Sequence, residues 1–231
     1  IKINAVTFTD LESTPLPFDY ARYLYTYLYA TASNVQNINV VGKCEDYVSV
    51  DGVLYSKDMT RLVMVLPDAV LGDFVVPATV KEICDGAFAS NKTVTSISFA
   101  SGSALEKIGN GAFASCTLLS KITLPANKVE IGAMAFYQDT FLSDINLDKV
   151  TYVGEFAFYN TAITNVALTE NNVVLSYGAF YGCQKLNTVT LGAGAQIGEY
   201  AFYATTVSAV ELTGDGVTVA EGAFYECQNL R

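Results

Sequence analysis

Histidine is absent from this chain. Imidazole is the commonest general base, proton shuttle and metal ligand near neutral pH, so neither a Ser-His-Asp nor a Cys-His relay can be assembled from these residues. No serine is followed three positions later by lysine, and no Gly-x-x-x-x-Gly-Lys phosphate loop occurs. The segment Gly192-Ala-Gly194-Ala-Gln-Ile197 comes near a dinucleotide-binding loop, but isoleucine stands where the third glycine belongs, so it reads as an ordinary loop. Glu45 and Asp46 are adjacent carboxylates, a pair that on a surface turn is solvated charge. The expectation is a protein that is not an enzyme and that needs no cofactor or metal.

Two chemically interesting residue types nevertheless recur at fixed spacing. Cys116, Cys183 and Cys227 each stand three positions after the phenylalanine of an Ala-Phe dipeptide, where Asn91, Asp139, Thr161 and Thr205 stand in other copies. Cys183 and Cys227 lie two copies apart, about 9–10 Å if the copies stack at strand spacing, which is too far for a disulfide. Buried free thiols are expected, and Cys44 with Cys84 is the one pairing left open. Tyr137, Tyr159, Tyr181, Tyr203 and Tyr225 each follow the phenylalanine directly and should stack along one edge. Such an edge reads either as an aromatic ladder for protein or glycan contact or, more plainly, as packing between copies with the hydroxyls in water.

What must position these residues is a repeat. Ala-Phe places its phenylalanine at 88, 113, 136, 158, 180, 202 and 224, in steps of 25, 23, 22, 22, 22 and 22 residues. Five residues earlier sit Ile83, Ile108, Ile131, Val153, Leu175, Ile197 and Val219; five or six residues later sit Val94, Leu119, Leu142, Ile163, Leu186, Val207 and Leu230. An apolar-x-apolar pair follows: Ile97/Phe99, Ile122/Leu124, Ile145/Leu147, Val166/Leu168, Val189/Leu191 and Val210/Leu212. The pair has the period of a strand, and the Gly-x-x-Ala-Phe segment reads as a tight turn or a single helical turn. A coil with one apolar side cannot bury it alone, so the coils must stack into a continuous core. The six pairs should form one parallel sheet. The coils beginning at Phe158 and Phe202 are one residue shorter before their pair, a deletion assigned to a loop. The outward residues of the pairs, among them Lys121, Asp144, Asn146, Asn165, Thr188 and Glu211, form a candidate protein-binding face.

The composition fits. Half of the chain is apolar (51%) and 16% is charged, the balance of a packed structure. The most apolar stretch, Leu62 to Val80, is interrupted by Pro67, Asp68, Asp73 and Pro77 and cannot be a spanning helix, so no membrane insertion is expected. A net charge of −10 without any basic run disfavours nucleic acid and anionic membrane surfaces. The chain begins at Ile1 without a leader and reads as a mature or truncated form.

The coil Asn110-Gly-Ala-Phe-Ala-Ser-Cys116, followed by Leu119, Ile122, Leu124 and Pro125, resembles the BspA-type leucine-rich repeat, as does Tyr177-Gly-Ala-Phe-Tyr-Gly-Cys183 with Leu186, Val189 and Leu191. The likeness runs from about Val48 to the end. It implies a leucine-rich-repeat solenoid with a parallel sheet on one side and short turns on the other. It also implies a cell-surface or secreted protein of a host-associated bacterium or a parasitic protist, whose role is adhesion or binding of an extracellular or host protein. The family supplies no catalytic residues. The segment Val50-Asp-Gly-Val-Leu-Tyr-Ser56 resembles a β-hairpin excursion found in these proteins, and Asp51-Gly52 suits its turn. A second turn is expected over Lys57 to Thr60, before Arg61 to Leu66.

Residues 1–45 are read as a cap and degenerate first repeat, and residues 46–231 as the solenoid. Ile1 to Phe8 suits a capping strand; Tyr20 to Ala30 suits a helix, while Leu28 through Val40 suits a divergent first coil. Three functions stay open: a protein-binding module, a spacer holding another domain away from the cell, and glycan binding through the tyrosine edge.

Overall fold

The computed structural model describes the backbone of residues 5–9, 37–41 and 46–231, and the side chains of residues 46–231. Two N-terminal strands, β1 (Ala5–Thr9) and β2 (Asn37–Val41), pair in parallel with each other. The expected capping strand thus exists in part, whereas the alternatives over Tyr20 to Ala30 and Leu28 to Val35 lie outside the described residues. The hairpin excursion is present. β3 (Tyr47–Val50) and β4 (Val53–Ser56) are antiparallel around Asp51 and Gly52, whose φ values of 49° and 78° are those of a type I′ turn. β5 (Arg61–Met64) returns antiparallel to β4 after a turn in which the Met59 amide donates to the Ser56 carbonyl.

From there the chain winds as a parallel β-solenoid. Each coil runs through a short strand, a turn segment around Ala-Phe, and a second short strand. The first strands carry the column five residues before the phenylalanine: β7 (Glu82–Ile83), β9 (Lys107–Ile108), β11 (Val129–Ile131), β13 (Val150–Val153), β15 (Val174–Leu175), β17 (Gln196–Ile197) and β19 (Thr218–Val219). Together with the excursion they form a ten-stranded sheet in the order β19-β17-β15-β13-β11-β9-β7-β5-β4-β3. So the first strands from β7 to β17 each bury a residue, a strand side beyond the one expected, while β19 of the last coil is exposed.

The second strands correct a further expectation. β6 (Gly72–Val76), β8 (Val94–Phe99), β10 (Lys121–Ile122) and β12 (Asp144–Ile145) form one parallel sheet, and β14 (Asn165–Leu168), β16 (Thr188–Leu191) and β18 (Ala209–Leu212) form another. All pairing is parallel, but the six apolar pairs do not make one sheet. The missing residue is not the cause, because β14 and β18, in shortened coils, still pair with full-length β16. β12 ends at Ile145, and beyond it the Asn146 side chain binds the preceding coil: Asn146 Oδ1 accepts from the Leu124 amide at 2.7 Å and Nδ2 donates to the Leu124 carbonyl at 3.1 Å. A side-chain amide thereby takes the place of a backbone ladder.

The core is the phenylalanine column. Phe88, Phe113, Phe136, Phe158, Phe180 and Phe202 have no exposed surface, and successive rings stack with centroids 4.8–5.3 Å apart. Alanine precedes each phenylalanine because the backbones must touch there: the Phe113 amide donates to the Ala135 carbonyl at 2.8 Å and the Phe158 amide to Ala179 at 2.8 Å, and the same bond joins every pair of neighbouring coils. The turn segments are successive β-turns, and among the described residues no helix occurs. In each, the residues two before and two after the phenylalanine have positive φ.

Candidate functional site: a strand face and an aromatic edge

The strand-face residues meet mainly one another. Lys121 and Asp144 stand in register on β10 and β12, and Nζ lies 2.7 Å from Oδ2. Thr188 Oγ1 donates to Asn165 Oδ1 at 2.6 Å across β14 and β16, and Glu211 stands in register with Thr190. Asn146 is committed to the Leu124 backbone. With the sheet divided between β12 and β14, the six residues do not form one continuous ladder.

The cysteine column, buried at Cys116 and Cys183 and partly exposed at Cys227, is structural in its bonding. Cys116, Cys183 and Cys227 each donate from Sγ to the carbonyl of the phenylalanine at the start of the preceding turn, Phe88, Phe158 and Phe202, at 3.0 Å. Cys84, Cys116, Cys183 and Cys227 are free, and Cys44 lies outside the described residues. Burial pushes the Cys183 and Cys84 thiols up to about 11 and raises Cys116 further, which makes them poor nucleophiles. Among the described residues, no group of His, Cys, Asp or Glu could hold a metal ion.

The tyrosine edge is assembled as the spacing requires. Tyr137–Tyr159, Tyr159–Tyr181, Tyr181–Tyr203 and Tyr203–Tyr225 stack with centroids 4.7, 5.5, 4.5 and 5.7 Å apart. Desolvation in the stack, with the Glu226 carboxylate that Tyr203 bonds, pushes the Tyr203 phenol up to about 12.

A second aromatic row, which the column reading missed, flanks the first. Phe156 lies edge-on to Tyr159 and Tyr177 at 6.0 and 5.3 Å, and Tyr200 edge-on to Tyr177 and Tyr203 at 5.6 and 5.8 Å. The position two before the phenylalanine has φ of 52–66° in all seven coils. Gly86, Gly111, Gly178 and Gly222 meet that demand without strain, but Met134, Phe156 and Tyr200 do not, since bulky side chains are disfavoured there. The ring of Phe156 lies over Gly178, where a Cβ would come within 2.6 Å of it, and the ring of Tyr200 lies over Gly222. The signal was present in the sequence as a large residue at this position followed, one coil later, by glycine. The edge also exposes apolar surface: Met134, Tyr177 and Tyr225 are 47, 40 and 60% exposed.

No helix among the described residues is long and apolar enough to cross a membrane. Comparison with curated proteins finds no match. Among solved structures, the chain is similar to a leucine-rich repeat protein from Eubacterium ventriosum, with 26% identity and a TM-score of 0.70 over 82% of this chain and 55% of that one. It shares its fold with the pneumococcal vaccine antigen PcpA (22% identity, TM-score 0.58, 85% of this chain and 44% of that one). It shares it also with a leucine-rich repeat protein of T. pallidum (24% identity, TM-score 0.58, 78% and 87%). The chain thus spans about half the length of the first two. The repeat pattern of the BspA type leucine rich repeat region matches residues 68–187 and 151–231 in six copies, and the chain belongs to that family.

Proposed function

We propose that this chain is a non-catalytic protein-binding module displayed at a cell surface or secreted, and that its aromatic edge makes the contact. The surface location rests on the family likeness. The observation that carries the binding reading is the second aromatic row: Phe156 and Tyr200 hold left-handed backbone conformations that glycine fills in four other coils. Such strain costs about 1–2 kcal/mol per residue and gathers where a surface has work to do. Rigid aromatic side chains with exposed polar tips are the residue types that anchor protein contacts. The strand face is a second reading, favoured by its free run of small polar side chains, although Lys121 with Asp144 and Asn165 with Thr188 already satisfy each other.

The test is binding to panels of immobilised extracellular-matrix proteins, serum proteins and glycans, with wild type, a Tyr177→Ser/Tyr225→Ser variant and an Asp144→Arg variant. Loss with the tyrosine variant alone supports the edge. Loss with Asp144→Arg alone moves the site to the strand face. Retention on glycans only would make the edge a carbohydrate site, and no binding to any panel would leave a spacer.

A further inference from the structure

We propose that the segment this edge receives is cationic and arginine-bearing, an inference that rests on the edge being the contact surface. The five turn segments at 132–138, 154–160, 176–182, 198–204 and 220–226 contain no lysine or arginine and carry the carboxylates of Glu155, Glu199, Glu221 and Glu226. All four glutamates are exposed. Elsewhere the cations are largely matched. Lys81, Lys92, Lys107 and Lys121 pair with Glu106, Asp68, Glu82 and Asp144, and Lys128 and Lys149 both reach Glu170. Glu155, Glu199 and Glu221 form no ion pair among the described residues. The cations are therefore segregated: those in ion pairs lie away from the aromatic edge, as do Glu130 and Glu211, which form no ion pair among the described residues, while the edge itself carries carboxylates and no cation.

The arrangement is more specific than an acidic surface. In the two coils where an aromatic residue takes the strained position, glutamate immediately precedes it, giving Glu155-Phe156 and Glu199-Tyr200. Tyr177 stands between them in contact with both rings. A guanidinium stacks on an aromatic ring while its N–H groups pair with a carboxylate, whereas an ammonium is a point charge that stays strongly hydrated. The two acid–aromatic units are two coils apart, about 9–10 Å at strand spacing. A polyproline II segment brings every third residue to one side at a rise of about 3.1 Å per residue, so arginines three apart sit about 9 Å from each other on one face. The geometry matches an extended segment with arginine at every third position.

The experiment is fluorescence anisotropy at about 150 mM salt, where long-range attraction between exposed charges is largely screened. The probe is a labelled proline-framed peptide with arginine at every third position, run beside the same peptide with lysine. Wild type should bind the arginine peptide at least several-fold more tightly than the lysine peptide. Glu155→Gln/Glu199→Gln should weaken it about tenfold or more, with folding verified by circular dichroism. Glu130→Gln/Asp215→Asn removes the same charge from exposed positions off this edge and off the strand face, and should change affinity less than twofold. Equal loss in both double variants, equal affinity for arginine and lysine, or no binding by wild type overturns the proposal. If the cationic peptide fails while protein capture in the panel still depends on Tyr177 and Tyr225, the edge stands and only its cationic partner falls; if neither depends on the edge, both readings fall.

Discussion

Asp139 Oδ1 accepts the Cys116 amide at 2.8 Å across adjacent coils, while Oδ2 is buried with no hydrogen-bond partner. The same column position in another coil is better satisfied. Asn91 donates from Nδ2 to the Leu66 and Ala69 carbonyls and accepts the Val94 amide at 2.8 Å. The solenoid thus holds a carboxyl where an amide or a thiol serves better.

Burial raises the folded-state pKa of Asp139 well above its ordinary value, against a weaker opposite pull from the Cys116 amide. A raised folded-state value means that the folded protein holds the proton more tightly than the unfolded chain does. The contribution to stability is present below the unfolded value, near 3.9, and is lost as pH rises through the folded value. Asp139→Asn should therefore stabilise the protein at pH 8, by about 1–3 kcal/mol because a neutral amide costs less to bury than an ionised carboxyl, and should give little gain near pH 4. Urea melts at the two pH values measure this; a variant equally stable or weaker at pH 8 would show that Asp139 is accommodated as an anion.

Phe158 stacks on Phe136 and Phe180, at 5.0 and 4.9 Å, whereas Phe224 has one described partner, Phe202 at 5.1 Å, and is only partly buried. Phe158→Ala should cost about 3–5 kcal/mol through the cavity it leaves. Phe224→Ala should cost clearly less, because a solenoid sums intrinsic and nearest-neighbour terms. Denaturant melts of the two variants decide it, and equal losses would speak against nearest-neighbour stacking.

Thiol reactivity should follow burial. Cys227 is partly exposed, whereas Cys84, Cys116 and Cys183 are buried with raised pKa values. Alkylation of the native protein, read by mass spectrometry, should label Cys227 first and the other three at the rate of unfolding. In denaturant without reductant all four should be modified. Rapid native labelling of Cys183 would mean that its coil opens locally.

Much of this fold can be read from spacing, because a repeat that stacks must present the same residue type at the same place in every coil. The Ala-Phe column, the tyrosine ladder and the Asp51-Gly52 hairpin are of that kind. In the sequence the ten-stranded sheet shows only as an apolar column, since strands as short as β7 or β15 hold two residues and show no alternation. The division after β12 is not legible in the spacing, since Ile145/Leu147 and Val166/Leu168 both keep the apolar-x-apolar pattern on either side of it. The second aromatic row falls between these cases. Its residues vary from coil to coil, so they form no column; the sequence hints at them only through the glycine one coil later, and the backbone angle they share reveals the position.

That shared angle gives the last prediction. Gly178 and Gly182 both have positive φ, 59° and 70°, within one turn. A Cβ at Gly182 would meet nothing within 4 Å, whereas at Gly178 it would lie 2.6 Å from Phe156 Cε1. Gly182→Ala therefore measures the backbone strain alone, about 1–2 kcal/mol. Gly178→Ala carries the same strain and must also displace the ring, so it should cost more. The excess belongs to one contact and should vanish in a double-mutant cycle with Phe156→Ala, where the ring is gone. Thermal or urea melts of wild type, the three single variants and the double variant supply the comparison. If Gly178→Ala costs no more than Gly182→Ala, Phe156 swings aside freely and the second aromatic row is not a rigid surface. If the excess survives removal of the ring, it arises from the neighbouring backbone, and the pairing of Phe156 with Gly178 is incidental.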